Sequence, residues 1–178
     1  MKENVVNLIV FKVAWTAVVV SAAAGAPLIG VIAVAVAVGI HLRSCDKPES
    51  ETRLLLVAAA MGLAWESILM ISGLVNYSSG NLVPGIAPYW IVAMWVLFAT
   101  TINAGMRWLR RNKAVAAIAG AVGGPMGFFA GASAGAVELT SPAIALAIIG
   151  AGWAVMLPLL AQVAARLDSG LRLVEQTS

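Results

Sequence analysis

One acid stands alone inside a long apolar stretch, Glu66 in LLLVAAAMGLAWESILM. It falls twelve residues past Leu54, or about 18 Å along a helix at 1.5 Å per residue. If that helix crosses a bilayer, Glu66 sits past the midplane toward the outer side. Carboxylates at such depth are costly, face the interior of a bundle and mark functional sites by default. The plainer alternative is a protonated Glu that hydrogen-bonds a neighbouring helix as packing glue. Lys12 is the second ionisable group of this kind, about 10 Å beyond Val5. Pairing it with Glu66 requires closing about 8 Å of depth, whereas snorkelling toward the inner headgroups is simpler.

Near the inner face, Asn7, Lys12, His41, Asn103 and Arg107 fall at similar depths on three apolar stretches. Thr100, Asn103 and Arg107 are spaced i, i+3 and i+7, which places them on one helical face. Such a cluster suits a lipid phosphate or a carboxylate, because Arg presents a planar donor fork. An interfacial polar belt with a topogenic Arg is the alternative.

Glycine recurs every fourth residue at Gly123, Gly127, Gly131 and Gly135, with Gly120 and Gly124 as a second pair. This spacing lets helices approach closely in lipid, where no hydrophobic drive brings them together. The triplet Gly123-Gly124-Pro125 is expected to break or kink its helix, since Pro removes a hydrogen bond. A broken turn at that depth must be buried in protein or line a cavity. Six Trp accompany these features. Trp90 and Trp108 are expected in the interfacial belts, and Trp15, Trp65, Trp95 and Trp153 lie deeper, as packing or as the walls of an acyl-chain pocket.

The 178 residues that position these groups are 61% hydrophobic and 11% charged, with a mean hydropathy of +0.95. Soluble chains average about 45–50% apolar and about 25% charged, so this is an integral membrane protein. Disorder is excluded on the same ground. One Cys and one His leave no disulfide framework and no His-pair metal motif, and no metal or other cofactor is expected. Nothing matches a P-loop, a dinucleotide fingerprint or a nucleophile elbow, so no enzyme class follows.

Six spans of the length a bilayer needs are expected, at about 5–23, 28–42, 54–74, 89–106, 114–137 and 142–165. The charged segment 43–53 and the Asn-, Ser-, Gly- and Pro-rich segment 75–88 read as loops. The β-branched run VIAVAVAV in the second span reads as helix, because lipid offers no partner to an open strand. Ten of the eleven basic residues fall in segments that share one side if the N-terminus is inside. The outer turns hold none, so both termini are expected to be cytoplasmic. The net charge of +3 is thus topogenic and does not point to nucleic acid. The first span is read as retained, because Lys12 interrupts it and its removal would invert the second. The expected architecture is an all-α six-helix transmembrane bundle as one domain over 1–168, with a short polar cytoplasmic tail at 169–178.

Three blocks, NVVNLIVFKVAW, YWIVAMWVLFATTINAGMRWL and GAVGGPMGFFAGASAGAV, resemble the bacterial domain-of-unknown-function family numbered 2878. The likeness covers about residues 4–167. It implies a small polytopic protein of the bacterial inner membrane. It also implies a role in modifying lipid acyl chains, through gene neighbours resembling cyclopropane-fatty-acyl synthases and flavin amine oxidases. Lys12 stands where a Gln is commoner in that family, and Ala104 where a His is common. No catalytic residue is carried over, because the family has none assigned.

The leading expectation is an accessory or acyl-lipid-binding component of membrane-lipid modification. Its partners would be membrane lipids, a lipid-modifying enzyme and a second copy of the chain. Candidate ligand-binding residues are Lys12, Glu66, Thr100, Asn103, Arg107, Gly123, Gly124 and Pro125. The rivals are a small proton-coupled transporter using Glu66, a membrane enzyme working from Lys12, Asn103 and Arg107, and a purely structural subunit.

Overall fold

A computed structural model describes residues 2–175, with side-chain surroundings for 6–168. Its elements are α1 (Lys2–Ala23), α2 (Pro27–Ser44), α3 (Pro48–Ile71), β1 (Val75–Tyr77), α4 (Tyr89–Ala104), a 3-10 turn (Arg107–Arg110), α5 (Lys113–Ser133), β2 (Val137–Leu139) and α6 (Pro142–Glu175). Helices α1, α2, α3, α5 and α6 are long and apolar enough to cross a membrane, whereas α4 has 16 residues and is shorter. Large apolar side chains stand exposed around the bundle, among them Ile29, Ile32, Leu56, Ile118 and Phe129. A water-soluble monomer does not expose such a surface; this is a multi-pass membrane protein.

The helix ends follow local rules. Helices α2 and α3 start with proline in their first turn, where the missing N–H costs nothing. Asn112 caps α5, its Oδ1 accepting from Ala114 N and Val115 N at 2.9 and 3.2 Å. At the opposite end of the bundle α1, α3 and α5 stop in the same way. Gly25, Gly73 and Gly135 take φ near +75°, +71° and +82°. The next amide in each case bonds back to Ser21, Leu69 or Gly131, the double-bonded left-handed cap that glycine permits.

Adjoining helices pair as α1–α2, α3–α4 and α5–α6. Helix α4 is central, packed on α1, α2 and α3, while α6 joins α3 to α5. The core has two parts. Val18, Leu69, Trp90 and Ile149 pack toward the strand end, and Leu54, Ile102, Leu109 and Leu160 toward the basic end. Several tryptophans occupy space that glycine vacates on a neighbouring helix: Trp95 over Gly62, Trp65 over Gly152 and Trp153 over Gly124. An added Cβ at any of the three would overlap the indole.

Several expectations are corrected. The loop at 43–53 shrinks to residues 45–47, because α3 begins at Pro48. Its first turn carries Glu49 and Glu51, acids that suit the positive end of the helix dipole. The segment at 75–88 contains a strand. β1 pairs antiparallel with β2 in the register Val75–Leu139, Asn76–Glu138 and Tyr77–Val137, so the fold is helical with a two-stranded clasp. The polar tail expected from 169 continues α6 to Glu175, and residues 176–178 lie outside the described residues.

Helix α5 is not broken at Gly123-Gly124-Pro125 but runs through it. Pro125 cannot bond the carbonyl of Ala121, four residues back. Gly150 of α6 approaches that same oxygen so closely that a Cβ there would lie 3.0 Å from it and 3.2 Å from Pro125 Cγ. Close packing of α6 against α5 thus covers the gap, and the helix needs no unwinding.

Candidate functional site

Glu66 lies near the strand end of α3, five residues before Ile71, and is fully buried. Both of its oxygens are occupied. Tyr77 O–H donates to Oε2 at 2.5 Å and Trp95 Nε1–H donates to Oε1 at 2.7 Å. Burial, together with the Glu66 carboxyl beside it, holds the Tyr77 hydroxyl well above its ordinary range. Tyr77 packs edge-on to Trp90 with centroids 5.4 Å apart, and Trp95 stacks on Trp153 at 4.6 Å. Glu66 therefore ties α3, α4 and the clasp together. It is not paired with Lys12. Counted back from the helix ends at Ala23 and Ile71, Lys12 lies about 16 Å and Glu66 about 8 Å in, a difference close to the one expected.

The polar residues of the basic end form a relay. Asn7 Nδ2 donates toward His41 Nδ1 at 3.4 Å, which makes His41 Nε2 the donor to Glu51 Oε2 at 3.1 Å. Asn103 Nδ2 donates to Glu51 Oε1 at 2.8 Å, and Arg110 donates to Asn103 Oδ1 at 2.9 Å and to Asp168 Oδ2 at 3.1 Å. Arg107 Nε donates to the backbone oxygen of Asn103 at 2.7 Å. A cleft of about 520 Å³ opens onto this relay, bordered by Asn7, His41, Lys47, Glu51, Asn103 and Arg107. Among the described residues no three His, Cys, Asp or Glu side chains converge so as to hold a metal ion.

The structure thus brings Asn7, His41, Asn103 and Arg107 together, as their depths suggested, and leaves two candidates out. Thr100 is buried and spends its hydroxyl on Leu97 O at 2.7 Å. Lys12 lies elsewhere, exposed, its Nζ 5.9 Å from the Trp15 ring centroid. Arg107 belongs to the 3-10 turn and does not continue the face of α4. Glu51, Arg110 and Asp168 complete the relay and were missed. The signal for Glu51 was Pro48, which opens a helix at the point read as loop.

A second, apolar cavity of about 490 Å³ runs between α5 on one side and α1 and α4 on the other. Phe11, Lys12 and Trp15 of α1 and Met94, Trp95 and Phe98 of α4 face the glycine side of α5 across it. Gly120 and Gly124 are filled by the backbone and ring of Trp153, and Gly131 meets Val137. Gly123 and Gly127 have no neighbour within 4 Å of an added Cβ and open onto the cavity. The cavity expected beside this triplet therefore opens at Gly123, not at Gly124, and lies beside an intact helix. Of the deep tryptophans, Trp15, Trp95 and Trp153 border it and Trp65 does not. Trp90, expected in an interfacial belt, is 1% exposed and donates to Ser79 O at 2.9 Å.

Three helical hairpins, with α4 at the centre, around a polar relay and an apolar groove define a small multi-pass membrane protein. The family described as Protein of unknown function (DUF2878) matches residues 4–159, and the chain belongs to that family. No curated protein and no solved structure matches it.

Proposed function

We propose that this is a bacterial inner-membrane protein, with both termini cytoplasmic, that binds the acyl chain of a membrane lipid as an accessory to a lipid-modifying enzyme. The observation that carries the reading is the groove of about 490 Å³, within the roughly 300–1,000 Å³ of small-ligand sites. Its walls are aromatic on α1 and α4 and stripped of side chains at Gly123 and Gly127 on α5. A groove of that composition matches a hydrocarbon chain, and the exposed residues Gly123, Met126 and Gly127 on its border leave it open to the surface of the bundle. The acyl-chain context implied by the family resemblance points the same way, and the segregation of basic residues supports the orientation.

The test is native mass spectrometry of the gently extracted protein, with lipid analysis of what co-purifies. A selectively enriched acyl species should be retained by the wild type and lost on Gly127→Leu, which fills the groove. Bulk lipid in both samples would overturn the proposal. In cells, deletion of the gene should alter the fatty-acyl profile of the membrane under stress, and an unchanged profile would count against it.

A further inference from the structure

Resting on that reading, we infer that the occupant of the groove is a free fatty acid, its chain along the glycine face of α5 and its carboxylate held by Lys12. Lys12 borders the groove about halfway along α1. A cation at that level of an apolar wall calls for an anion, because an unpaired charge in hydrocarbon is costly. Among the described residues no carboxylate pairs with Lys12. The ion pairs among the described residues are His41–Glu51 and Arg110–Asp168, and Glu66, the carboxyl on the same groove, is occupied by Tyr77 and Trp95.

The glycines carry the other half of the argument. A helical glycine costs about 1 kcal/mol relative to alanine, and at Gly120, Gly124 and Gly131 a neighbour inside the protein occupies the vacated space. At Gly123 and Gly127 no atom of the described residues comes within 4 Å of an added Cβ, so the space there is left for something else. Depth selects the ligand. A phospholipid phosphate stays at the surface of a hydrocarbon core about 30 Å thick, whereas Lys12 lies about 9 Å past Val6, where the apolar span of α1 begins. A lone carboxylate reaches that level, with the Lys stem shortening the path.

The test uses the full chain in detergent micelles and fluorescence quenching of the groove tryptophans by dibromostearate, by its methyl ester and by a dibrominated phosphatidylcholine. Dibromostearate should quench best. Lys12→Gln should weaken its binding by roughly ten- to a hundredfold, the range of a hydrogen bond to a charged group. The same variant should leave the methyl ester unchanged, and Lys12→Arg should restore binding of the acid. Equal binding of acid and ester, unaffected by Lys12→Gln, overturns the inference while the groove reading stands. Tighter binding of the phospholipid than of the acid, itself sensitive to Lys12→Gln, overturns it in favour of a headgroup. Quenching by all three probes that survives Gly127→Leu overturns the groove reading itself. So does the absence of quenching together with a cross-linked dimer through α5.

Discussion

Asn103, one residue before the end of α4, donates its side-chain amide to Glu51, in the first turn of α3, across 2.8 Å. The contact joins positions 52 residues apart and closes a relay in which both Glu51 oxygens, both Asn103 amide atoms and both His41 ring nitrogens have a partner. Asn103 passes its oxygen to Arg110, and Glu51 passes its second oxygen to His41. Such a network, buried at His41 and Glu51, holds helix ends in register, and a missing member leaves its neighbours unsatisfied.

Glu51→Ala should therefore destabilise the protein by about 1–3 kcal/mol, the cost of leaving a buried donor such as His41 Nε2–H or the Asn103 amide without its acceptor. Thermal unfolding in detergent reads the effect. Asn103→Ala should cost a similar amount, and the double variant should cost less than the sum, since the two residues share one interaction. Additive losses would mean that the contact contributes nothing.

How much of this was legible depends on the range of the signal. Lys and Arg placement and apolar length acted residue by residue, so the helical class and most helix positions could be read directly. Asn103 could be placed with His41 and Asn7 by depth alone. Glu51 was hidden because RSCDKPESETR carries enough charge to read as loop, which outweighed the helix-start signal of Pro48 followed by Glu49 and Glu51. The strands VNY and VEL are three residues each, too short for an alternating pattern, and their pairing is long-range. Gly123-Gly124-Pro125 misled for a similar reason. The local rule for proline is right, but Gly150 on another helix covers the carbonyl that proline leaves unbonded.

Tyr77→Phe should loosen the clasp. It removes the 2.5 Å bond to Glu66 and leaves a fully buried carboxyl oxygen without its donor, a loss of about 1–3 kcal/mol. Limited proteolysis should then cut residues 78–88 faster than in the wild type, while the far end of the bundle keeps its resistance. Trp95→Phe removes the other donor and should melt the protein lower without the same local cleavage, because Trp95 lies inside α4.

Alanine at the glycines of α5 should act with opposite signs. Gly120→Ala drives a methyl group into the Trp153 backbone and Gly124→Ala into its ring. Helices α5 and α6 must then move apart, at a cost of about 1–3 kcal/mol for overpacking. Gly123→Ala and Gly127→Ala meet nothing within 4 Å and gain up to about 1 kcal/mol of helix propensity. Melting temperatures of the four single variants in one detergent give the comparison. Destabilisation by all four would mean that the space beside Gly123 and Gly127 is not open.

Cys45, the only cysteine in the chain, follows α2 at the basic end and reports both orientation and local charge. With that end cytoplasmic, a membrane-impermeant maleimide should label it in inverted vesicles and leave it untouched in intact cells. Labelling from outside the cell would reverse the orientation proposed above. Burial, and after it the Glu51 carboxyl, push the Cys45 thiol above its ordinary value. At neutral pH the thiolate that does the attacking is therefore scarce, and labelling should be slow and should speed up as pH rises. Glu51→Gln removes the second cause, so the thiol titrates at lower pH and labelling at neutral pH becomes faster. The rate profile against pH, measured in inverted vesicles for both proteins, should shift toward lower pH in the variant. Coincident profiles would show that Glu51 does not act on the thiol.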